Sequence, residues 1–347
     1  MTLAINARFL TQKMSGVQRF SREVVTALAA TGQPIRLLAP PGAPAEFAGL
    51  PVERIGRRSG QPWEQFDLPG AVAGCHLLNL GNTGPLRIGG AQTVVIHDAG
   101  VFDTPESYSF AFRAWYRALH WTLPRRGARI VTVSEFSRAR LSLHLKLPAA
   151  RIGVMAEGGE HALRDPAEPE VLARHGLQPG RFVLAVGTRA AHKNLDALRD
   201  AVALLASRGM KLAVAGAADA GVFRNAGDVD AAVALGRVSD GELRALYQAA
   251  LCLIFPSRYE GFGLPPLEAM WCGCPVLAAS AGAVPEVCGD AALWFDAEGP
   301  NTPATAIARL LDDPLLGEHL RLAGRARAAT FSWPAAADRL LGLLEPR

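Results

Sequence analysis

Short, unbroken apolar runs recur along this chain, each followed by a longer segment with apolar residues at helical spacing. In the second half they read RFVLAVG (181–187), KLAVAG (211–216), AAVALGRV (231–238), LCLIFPS (251–257), PVLAAS (275–280) and ALWF (292–295). A strand buried on one face would alternate apolar with polar residues. An unbroken run of this length fits a strand covered on both faces, as in a parallel sheet. Helical segments at 194–207, 240–250 and 264–272 fall between the runs, and 301–312, 314–329 and 333–345 close the series. The first half repeats the scheme. TLAINA (2–7), PIRLLA (34–39), CHLLNL (75–80), TVVIHD (93–98) and RIVTVS (129–134) are strand candidates. The segments 16–32, 107–123 and 134–146 are helix candidates, the last capped by Ser134 with Ser137 close by. Strand–helix alternation in both halves predicts α/β architecture with two doubly wound parallel sheets. Such sheets take ligands beyond the carboxyl ends of their strands, so the expected site is a cleft between the two. Residues 1–165 and 170–330 are the expected domains, parted near the polar LRDPAEPE (163–170), with a C-terminal helix in 331–347 expected to return onto the first domain.

The 347 residues suit two domains, and half of them are apolar, enough for sizeable cores. No uncharged apolar run reaches the roughly 18 residues of a membrane span. The N-terminal MTLAINARFL lacks the basic-then-apolar pattern of a secretory leader, and the cysteines, Cys75, Cys252, Cys272, Cys274 and Cys288, are odd in number. Both features lead us to expect reduced thiols and a cytoplasmic chain, and no cofactor is expected. The Cys-x-Cys at 272–274 has no second pair, so no zinc is expected there. Asp228 and Asp230 form an Asp-x-Asp, but it follows a loop-like stretch and precedes a strand, which argues against a metal role. Charge is uneven: residues 1–165 carry 19 Lys+Arg against 12 Asp+Glu, and the remainder 17 against 20. The basic half points to an anionic partner or an anionic membrane surface; no nucleic-acid partner is expected.

The stretch SRYEGFGLPPLEAM (257–270) holds Glu260 and Glu268 around Gly261, Gly263, Pro265 and Pro266. Glu260 would lie in the loop beyond strand 251–257, and the two prolines suit the first turn of a helix that contains Glu268. A helix N-terminus with free amides attracts phosphate, and flanking carboxylates accept hydrogen bonds from hydroxyls. Phosphate between hydroxyls describes a nucleotide sugar. The plain alternative makes Glu268 a helix-start charge and Glu260 a solvated loop acid.

FPSRYEGFGLPPLEAMWCGCPVLAASAGAVPEVCGDAALWF (255–295), with its Glu-x7-Glu pair, resembles the signature of the family 4 (group 1) retaining glycosyltransferases. GRVSDGELRALYQAA (236–250) is similar to the segment before that signature, and AVGTRAAHKNLDAL (185–198) to the family's phosphate-binding strand-turn-helix. INARFL…SGVQRF (5–20), VVIHD (94–98) and VTVSEFSR (131–138) resemble its N-terminal markers, in the family's order. The resemblance is strongest to mannosyltransferase-like members. It implies two Rossmann-like domains facing across a cleft, the GT-B fold.

It also implies roles. Glu268 would contact the ribose hydroxyls and Glu260 those of the transferred sugar. The amides of Phe262, Gly263 and Leu264 would face the distal phosphate, and Val238 would join the donor site. Lys193, one of only four lysines beside 32 arginines, would neutralise the diphosphate. Many members carry Arg before this lysine; here it is His192, and Arg189 would supply the second positive charge. Gly16 and Val17 would form a loop over the diphosphate, with Gln18 and Arg19 adjacent, and His97 would lie near the transferred sugar. The implied reaction is metal-independent transfer of a hexose, with retention, from a GDP- or UDP-linked donor to a saccharide or lipid-linked saccharide acceptor. Mannose from GDP-mannose is the specific expectation, in bacterial exopolysaccharide, lipopolysaccharide or O-antigen assembly. The transition state would resemble an oxocarbenium ion, with charge growing on the departing phosphate. Alternatives are a nucleotide-sugar epimerase on the same plan and a non-catalytic saccharide-binding protein. A dinucleotide-binding oxidoreductase would need Gly-x-Gly-x-x-Gly after its first strand, which neither INARFLTQKMSG nor AVGTRAAHKN provides.

Residues 110–129 mix Phe110, Phe112, Trp115, Tyr116 and Trp121 with five arginines. The plainer reading is an amphipathic helix with its aromatics packed inward; the other is a helix seated on the anionic inner face of the plasma membrane.

Overall fold

The computed structural model describes residues 2–187, 190–216, 232–296 and 302–345. The chain forms two compact units, Met1–Gly158 with Trp333–Arg347, and Gly159–Ser332.

In the first unit the strands are Leu3–Asn6 (β1), Ile35–Ala39 (β2), Glu46–Phe47 (β3), Leu50–Arg54 (β4), His76–Asn79 (β5), Gln92–Val95 (β6), Arg129–Thr132 (β7) and Ile152–Val154 (β8). Among the described residues they order as β3-β4-β2-β1-β5-β6-β7-β8, parallel throughout except the β3–β4 pair. The chain starts at β1, winds outward through β2 to β4, then returns to lay β5 on the other side of β1. That reversal leaves a crevice beyond the carboxyl ends of β1 and β5. Helix α1 (Gly16–Ala30) follows β1 and buries Phe20, Val24, Val25 and Leu28, one face of a 3.6-residue repeat. The last helix of the chain, α9 (Trp333–Leu344), contacts α1 and buries Trp333, Ala336, Ala337, Leu340 and Leu344. Arg129 donates to the Leu343 carbonyl, and Arg339 Nε donates to the Val154 carbonyl at 3.1 Å. A Cβ on Gly153 would lie 3.0 Å from the Leu343 methyls, so the small residue permits this approach.

Helix α2 (Phe110–Arg125) begins three residues after the expected start, because Ser109 caps it by accepting from the Phe112 amide. Inward packing of its aromatics is not what the structure shows. Phe110 is 76% exposed and Trp121 51%, with Phe112 and Trp115 also exposed; Leu119, His120, Leu123 and Pro124 are buried instead. The inner face of α2 carries its aliphatic residues in the last two turns, which leaves Phe110, Phe112, Trp115 and Trp121 outside and Tyr116 half-buried. Helix α3 (Glu135–Leu145) is capped as expected, Ser134 Oγ accepting from the Ser137 amide at 3.0 Å. Strands β3, β4 and β8 were not foreseen. Pro51 and two charged residues interrupt the apolar run of β4, and β3 and β8 have only two and three residues.

The second unit contains Phe182–Val186 (β9), Lys211–Ala215 (β10), Ala232–Gly236 (β11), Cys252–Phe255 (β12), Val276–Ala279 (β13) and Ala292–Phe295 (β14). Among the described residues the order is β11-β10-β9-β12-β13-β14, all parallel. Here the winding reverses between β9 and β12. Among the described residues the longer helices are Arg199–Ser207 (α4), Asp240–Ala249 (α5), Leu264–Trp271 (α6), Pro303–Asp312 (α7) and Pro314–Ala328 (α8). A capping box between Ser239 and Glu242 starts α5. The segment foreseen as one helix from 194 is a 3-10 turn, Leu195–Leu198, followed by α4, because Asn194 takes the left-handed conformation at φ 52°. The core of this unit is aliphatic, centred on Val183, Leu198, Val202, Leu212, Ile254, Leu277 and Ile307.

Buried His120 on α2 places Nε2 2.9 Å from the Asn82 carbonyl, and burial holds its pKa down at about 4. Between pH ~4 and ~6.5 the unfolded chain thus binds more protons at this ring than the folded one. The contribution of the neutral ring is present above the unfolded value and lost as pH falls. We expect the stability of the wild type relative to His120→Gln, measured by urea unfolding, to drop by up to about 3 kcal/mol from pH 6.5 to 4. A difference that stays constant with pH would refute this.

Candidate functional site

At the switch point of the second unit, β9 and β12 each run into a loop carrying a charged residue. After β9 comes the 3-10 turn Ala191–Lys193, closed by Asn194. After β12 the chain runs from Pro256 to Gly263 before α6 begins. Contacts among the described residues join the two loops. The Arg258 amide donates to the His192 carbonyl at 2.8 Å, and Asn194 Nδ2 donates to the Pro256 carbonyl at 3.2 Å. Lys193 Nζ donates to Glu260 Oε1 at 2.7 Å. The stem of Lys193 runs past Gly187, where a Cβ would lie 3.7 Å from it, and its ammonium stands 5.7 Å from the centre of the Phe255 ring. The side chains of the pair are 19% and 13% exposed, so water screens it less than a surface pair.

Glu260 is held from behind as well. Gly282 has φ +61°, and a Cβ there would lie 2.6 Å from the Glu260 amide nitrogen and 2.8 Å from its carbonyl oxygen. Only glycine allows that approach, and the Ala283 amide uses it to donate to the Glu260 carbonyl at 3.1 Å. Gly263, at φ +117°, is the N-cap of α6 and offers no capping side chain. Leu264 is the first helical residue, half-buried, and Pro265 and Pro266 bring no N–H to the first turn. Phe262 is buried, its ring edge-on to Phe331 at 5.8 Å between centres. The partial positive charge of the α6 N-terminus therefore lies beside the ion pair's loop without a side-chain carboxylate or hydroxyl to cap it.

Glu268, one turn further along α6, is 8% exposed and engaged at both oxygens. His161 Nε2 lies 2.9 Å from Oε1, and the Tyr247 hydroxyl donates to Oε2 at 3.1 Å. Burial, reinforced by the Glu268 charge, pushes the Tyr247 phenol well above its ordinary pKa, so it remains an O–H donor. Each carboxylate oxygen can accept a further bond, so Glu268 is oriented without being saturated. Sequence reasoning singled out neither His161 nor Tyr247. Tyr247 lies in α5 within the 236–250 segment, where its phenol was one more apolar position in the helical pattern. His161 follows Gly159, where a Cβ would come within 2.6 Å of Trp271 and 2.7 Å of Leu267; the close approach of this turn to α6 has no local sequence signal.

Val238 is half-buried between β11 and the Ser239 cap of α5. Arg189 lies outside the described residues, as do Asp228 and Asp230. Among the described residues no three His, Cys, Asp or Glu side chains are placed to hold a metal ion. Burial pushes the thiols of Cys272 and Cys274 up to about 12, which leaves them unreactive.

The remaining candidates belong to the first unit. Gly16 is the exposed first residue of α1, with half-buried Val17 behind it. Gln18 meets Ser15 and donates to Gln12 at 3.0 Å. His97 is buried, with Nε2 2.9 Å from the Leu80 carbonyl and Nδ1 3.4 Å from Glu157 Oε1. Burial opposes its protonation, but the Glu157 carboxylate and the Leu80 carbonyl outweigh it and hold its pKa above the ordinary histidine value. Lys193, Glu260, Phe262, Gly263, Leu264 and Glu268 are thus gathered in one unit on neighbouring loops and α6, and Gly16, Val17 and His97 lie in the other.

Comparison with known proteins bears on this arrangement. The family described as "Glycosyl transferases group 1" matches residues 169–328, which include both switch-point loops and α6. The O-antigen chain mannosyltransferase B of Escherichia coli is 34% identical over 262 residues, 72% of this chain and 68% of that protein. A D-inositol 3-phosphate glycosyltransferase of Segniliparus rotundus is 32% identical over 232 residues, 61% of this chain and about half (51%) of the relative. HepE of Anabaena, crystallised with UDP and glucose, superposes with a TM-score of 0.76 at 17% identity, over 99% of this chain and 98% of HepE; that likeness shows the two-sheet GT-B fold. The identity shared with the Escherichia coli enzyme, together with the match across the second sheet, makes this chain a member of the group 1 glycosyltransferases.

Proposed function

We propose that this glycosyltransferase moves mannose from GDP-mannose onto a saccharide acceptor of a bacterial surface polysaccharide, with retention and without a metal. The observation that carries the reading is the pairing of Lys193 with Glu260 beside the uncapped N-terminus of α6, one turn from the doubly held Glu268. Those groups supply a cation and helix amides for a diphosphate, and two carboxylates for hydroxyls. The mannose assignment is supported by the name of the Escherichia coli relative, and a sugar-nucleotide donor by the UDP and glucose bound to HepE. In this reading Glu268 holds the ribose diol and Glu260 a hydroxyl of the transferred sugar. Lys193 and the amides of Phe262, Gly263 and Leu264 take the diphosphate, with Val238 bordering the nucleotide. Gly16, Val17, His97 and Arg189 are the further residues assigned to the donor. The bond from the anomeric carbon to the phosphate oxygen breaks, and its electron pair goes to the phosphate. The acceptor oxygen attacks the same face, and its proton passes to the departing phosphate. Lys193 and the α6 N-terminus stabilise the charge that grows there, in place of a metal ion.

Helix α2 supports a place for the enzyme on the cytoplasmic face of a membrane. Among the described residues no helix is long and apolar enough to cross one. Its exposed aromatics stand beside Arg113 and Arg125, and Arg125 stacks over the Trp121 ring at 3.7 Å. Apolar rings mixed with guanidinium groups suit the interface of an anionic bilayer, where a lipid-linked acceptor would be found.

A panel of nucleotide sugars, read by thermal shift and by hydrolysis, tests the donor; a preference for another sugar or base would overturn the assignment to GDP-mannose. Lys193→Ala is expected to lower kcat by about 10²–10³-fold, as loss of an oxyanion donor does. Full turnover in that variant would remove the lysine from the mechanism. Glu268→Ala should weaken GDP-mannose binding by at least about tenfold in calorimetry, through loss of charged hydrogen bonds. Unchanged affinity would end its assignment to the ribose. Phe110→Ser combined with Trp121→Ser should abolish flotation with vesicles containing phosphatidylglycerol while GDP-mannose affinity is kept. Wild-type protein that stays unbound to those vesicles would refute the membrane reading.

A further inference from the structure

One buried side chain, that of His97, reaches across the carboxyl end of the first sheet. It follows β6, and its ring meets loops on both sides of that strand. Toward β5, the neighbouring strand, Nε2 stands 2.9 Å from the Leu80 carbonyl. Toward β8, two strands away on the other side, Nδ1 stands 3.4 Å from Glu157 Oε1. The main chain is tied at the same place, the His97 amide donating to Asn82 Oδ1 at 2.7 Å. Phe20 of α1 packs edge-on to the ring, with centres 4.5 Å apart. His97 and Glu157 are both buried, and both belong to the first unit.

A carbonyl and an ionised carboxylate can only accept, so each ring nitrogen faces an acceptor. A neutral imidazole carries one N–H and satisfies one of the two; the imidazolium satisfies both. Burial by itself would strip the ring of its charge. The Glu157 carboxylate, the Leu80 carbonyl and the charge of Asp98 more than offset it and hold the pKa above the ordinary histidine value. Of the two acids that act on the ring, Glu157 is the one bonded to it; Asp98 Oδ1 accepts from the Gly100 amide at 2.6 Å. A buried pair of this kind adds little net stability, because desolvation offsets the attraction. Its effect is on geometry: the charged ring ties the end of β6 to the loops after β5 and β8, and loss of its proton frees one of them. We propose that Glu157 is a positioning residue for the transfer reaction, which keeps His97 donating from both ring nitrogens and so fixes the end of β6 at the donor. This rests on the assignment of His97 to the donor above, in which Glu157 has no part. The doubly donating ring is present below its folded pKa and is lost as pH rises through it, so turnover falls on the alkaline side.

The test follows two readouts across neutral and alkaline pH. One is the NMR titration of the His97 ring, assigned by the signal missing from His97→Gln. The other is kcat/KM for hydrolysis of GDP-mannose, or of whichever nucleotide sugar in the panel above is turned over faster. In wild type the ring should titrate above pH 6.5, and kcat/KM should fall with the same midpoint. Glu157→Leu removes the acid and offers no donor. Its ring midpoint should drop below pH 6.5, and kcat/KM at neutral pH should fall by about 10–100-fold, the scale of a misplacement of about an ångström. The alkaline limb should return in Glu157→Asp, which keeps the charge. A merely structural role would lower the rate without moving a limb that tracks the ring. A wild-type rate that stays level or rises through the ring's midpoint would overturn the proposal, as would a Glu157→Leu enzyme with the wild-type rate and profile, or a limb absent from Glu157→Asp. Should Glu157→Leu fail to fold, Glu157→Gln replaces it, with the same directions expected for ring and rate. If no nucleotide sugar is turned over at any pH, the donor reading falls and takes this role with it; turnover whose pH profile ignores the ring removes the role of Glu157 alone.

Discussion

Everything at the second sheet's switch point depends on the contact between Lys193 and Glu260. The two residues are 67 positions apart and come from loops that follow different strands. Parallel neighbours β9 and β12 bring those loops side by side, and the reversal of winding keeps any crossover from covering them. The loops are then fixed by backbone rather than by side-chain packing. His192 and Pro256 give carbonyls across the gap, and Gly282 lets a third loop press against the Glu260 peptide. A partly buried ion pair gains little by itself, because desolvation offsets most of the attraction. Its value here is positional. It holds a cation and an acid in a fixed relation beside a helix terminus that no side chain caps.

The two sheets apply one topological rule to different chemistry. At β9/β12 a lysine paired with a carboxylate stands beside a helix N-terminus, whose partial positive charge attracts an anion. At β1/β5 the groups are a buried glutamate and a buried arginine sharing Thr83, a set with no net charge to offer an anion. Part of the basic composition of residues 1–165 lies along α2, where Arg113, Arg117 and Arg125 stand among aromatic rings.

Much of the fold could be read directly because a parallel strand covered on both faces leaves an unbroken apolar run. RFVLAVG, KLAVAG, LCLIFPS and ALWF each coincide with a strand, within one or two residues at the ends. Strand β4 escaped because it contains Pro51 and lies next to the sheet's edge, where burial relaxes and the apolar signature fades. The start of helix α4 shifted because Asn194 adopts a left-handed conformation, a choice set by its bond to Pro256 rather than by its neighbours in sequence. The acids of the candidate site were legible because glycines and prolines surround them. The partners of Glu268 were not: His161 sits in a turn fixed only by tertiary contact, and Tyr247 is one more apolar position in a helical pattern.

Glu268 shows why those missing partners matter. A lone carboxylate on a helix could swing among rotamers and would lose that freedom on meeting a ligand. With His161 on one oxygen and Tyr247 on the other, the ordering has already occurred during folding. The raised pKa of Tyr247 keeps its proton in place over the whole physiological range, so this side of the carboxylate is always donated to and never repelled. Each oxygen keeps the capacity to accept one further hydrogen bond. The second unit thus combines a fixed acid with a fixed cation on one helix and two loops, and both are set by contacts far apart in sequence.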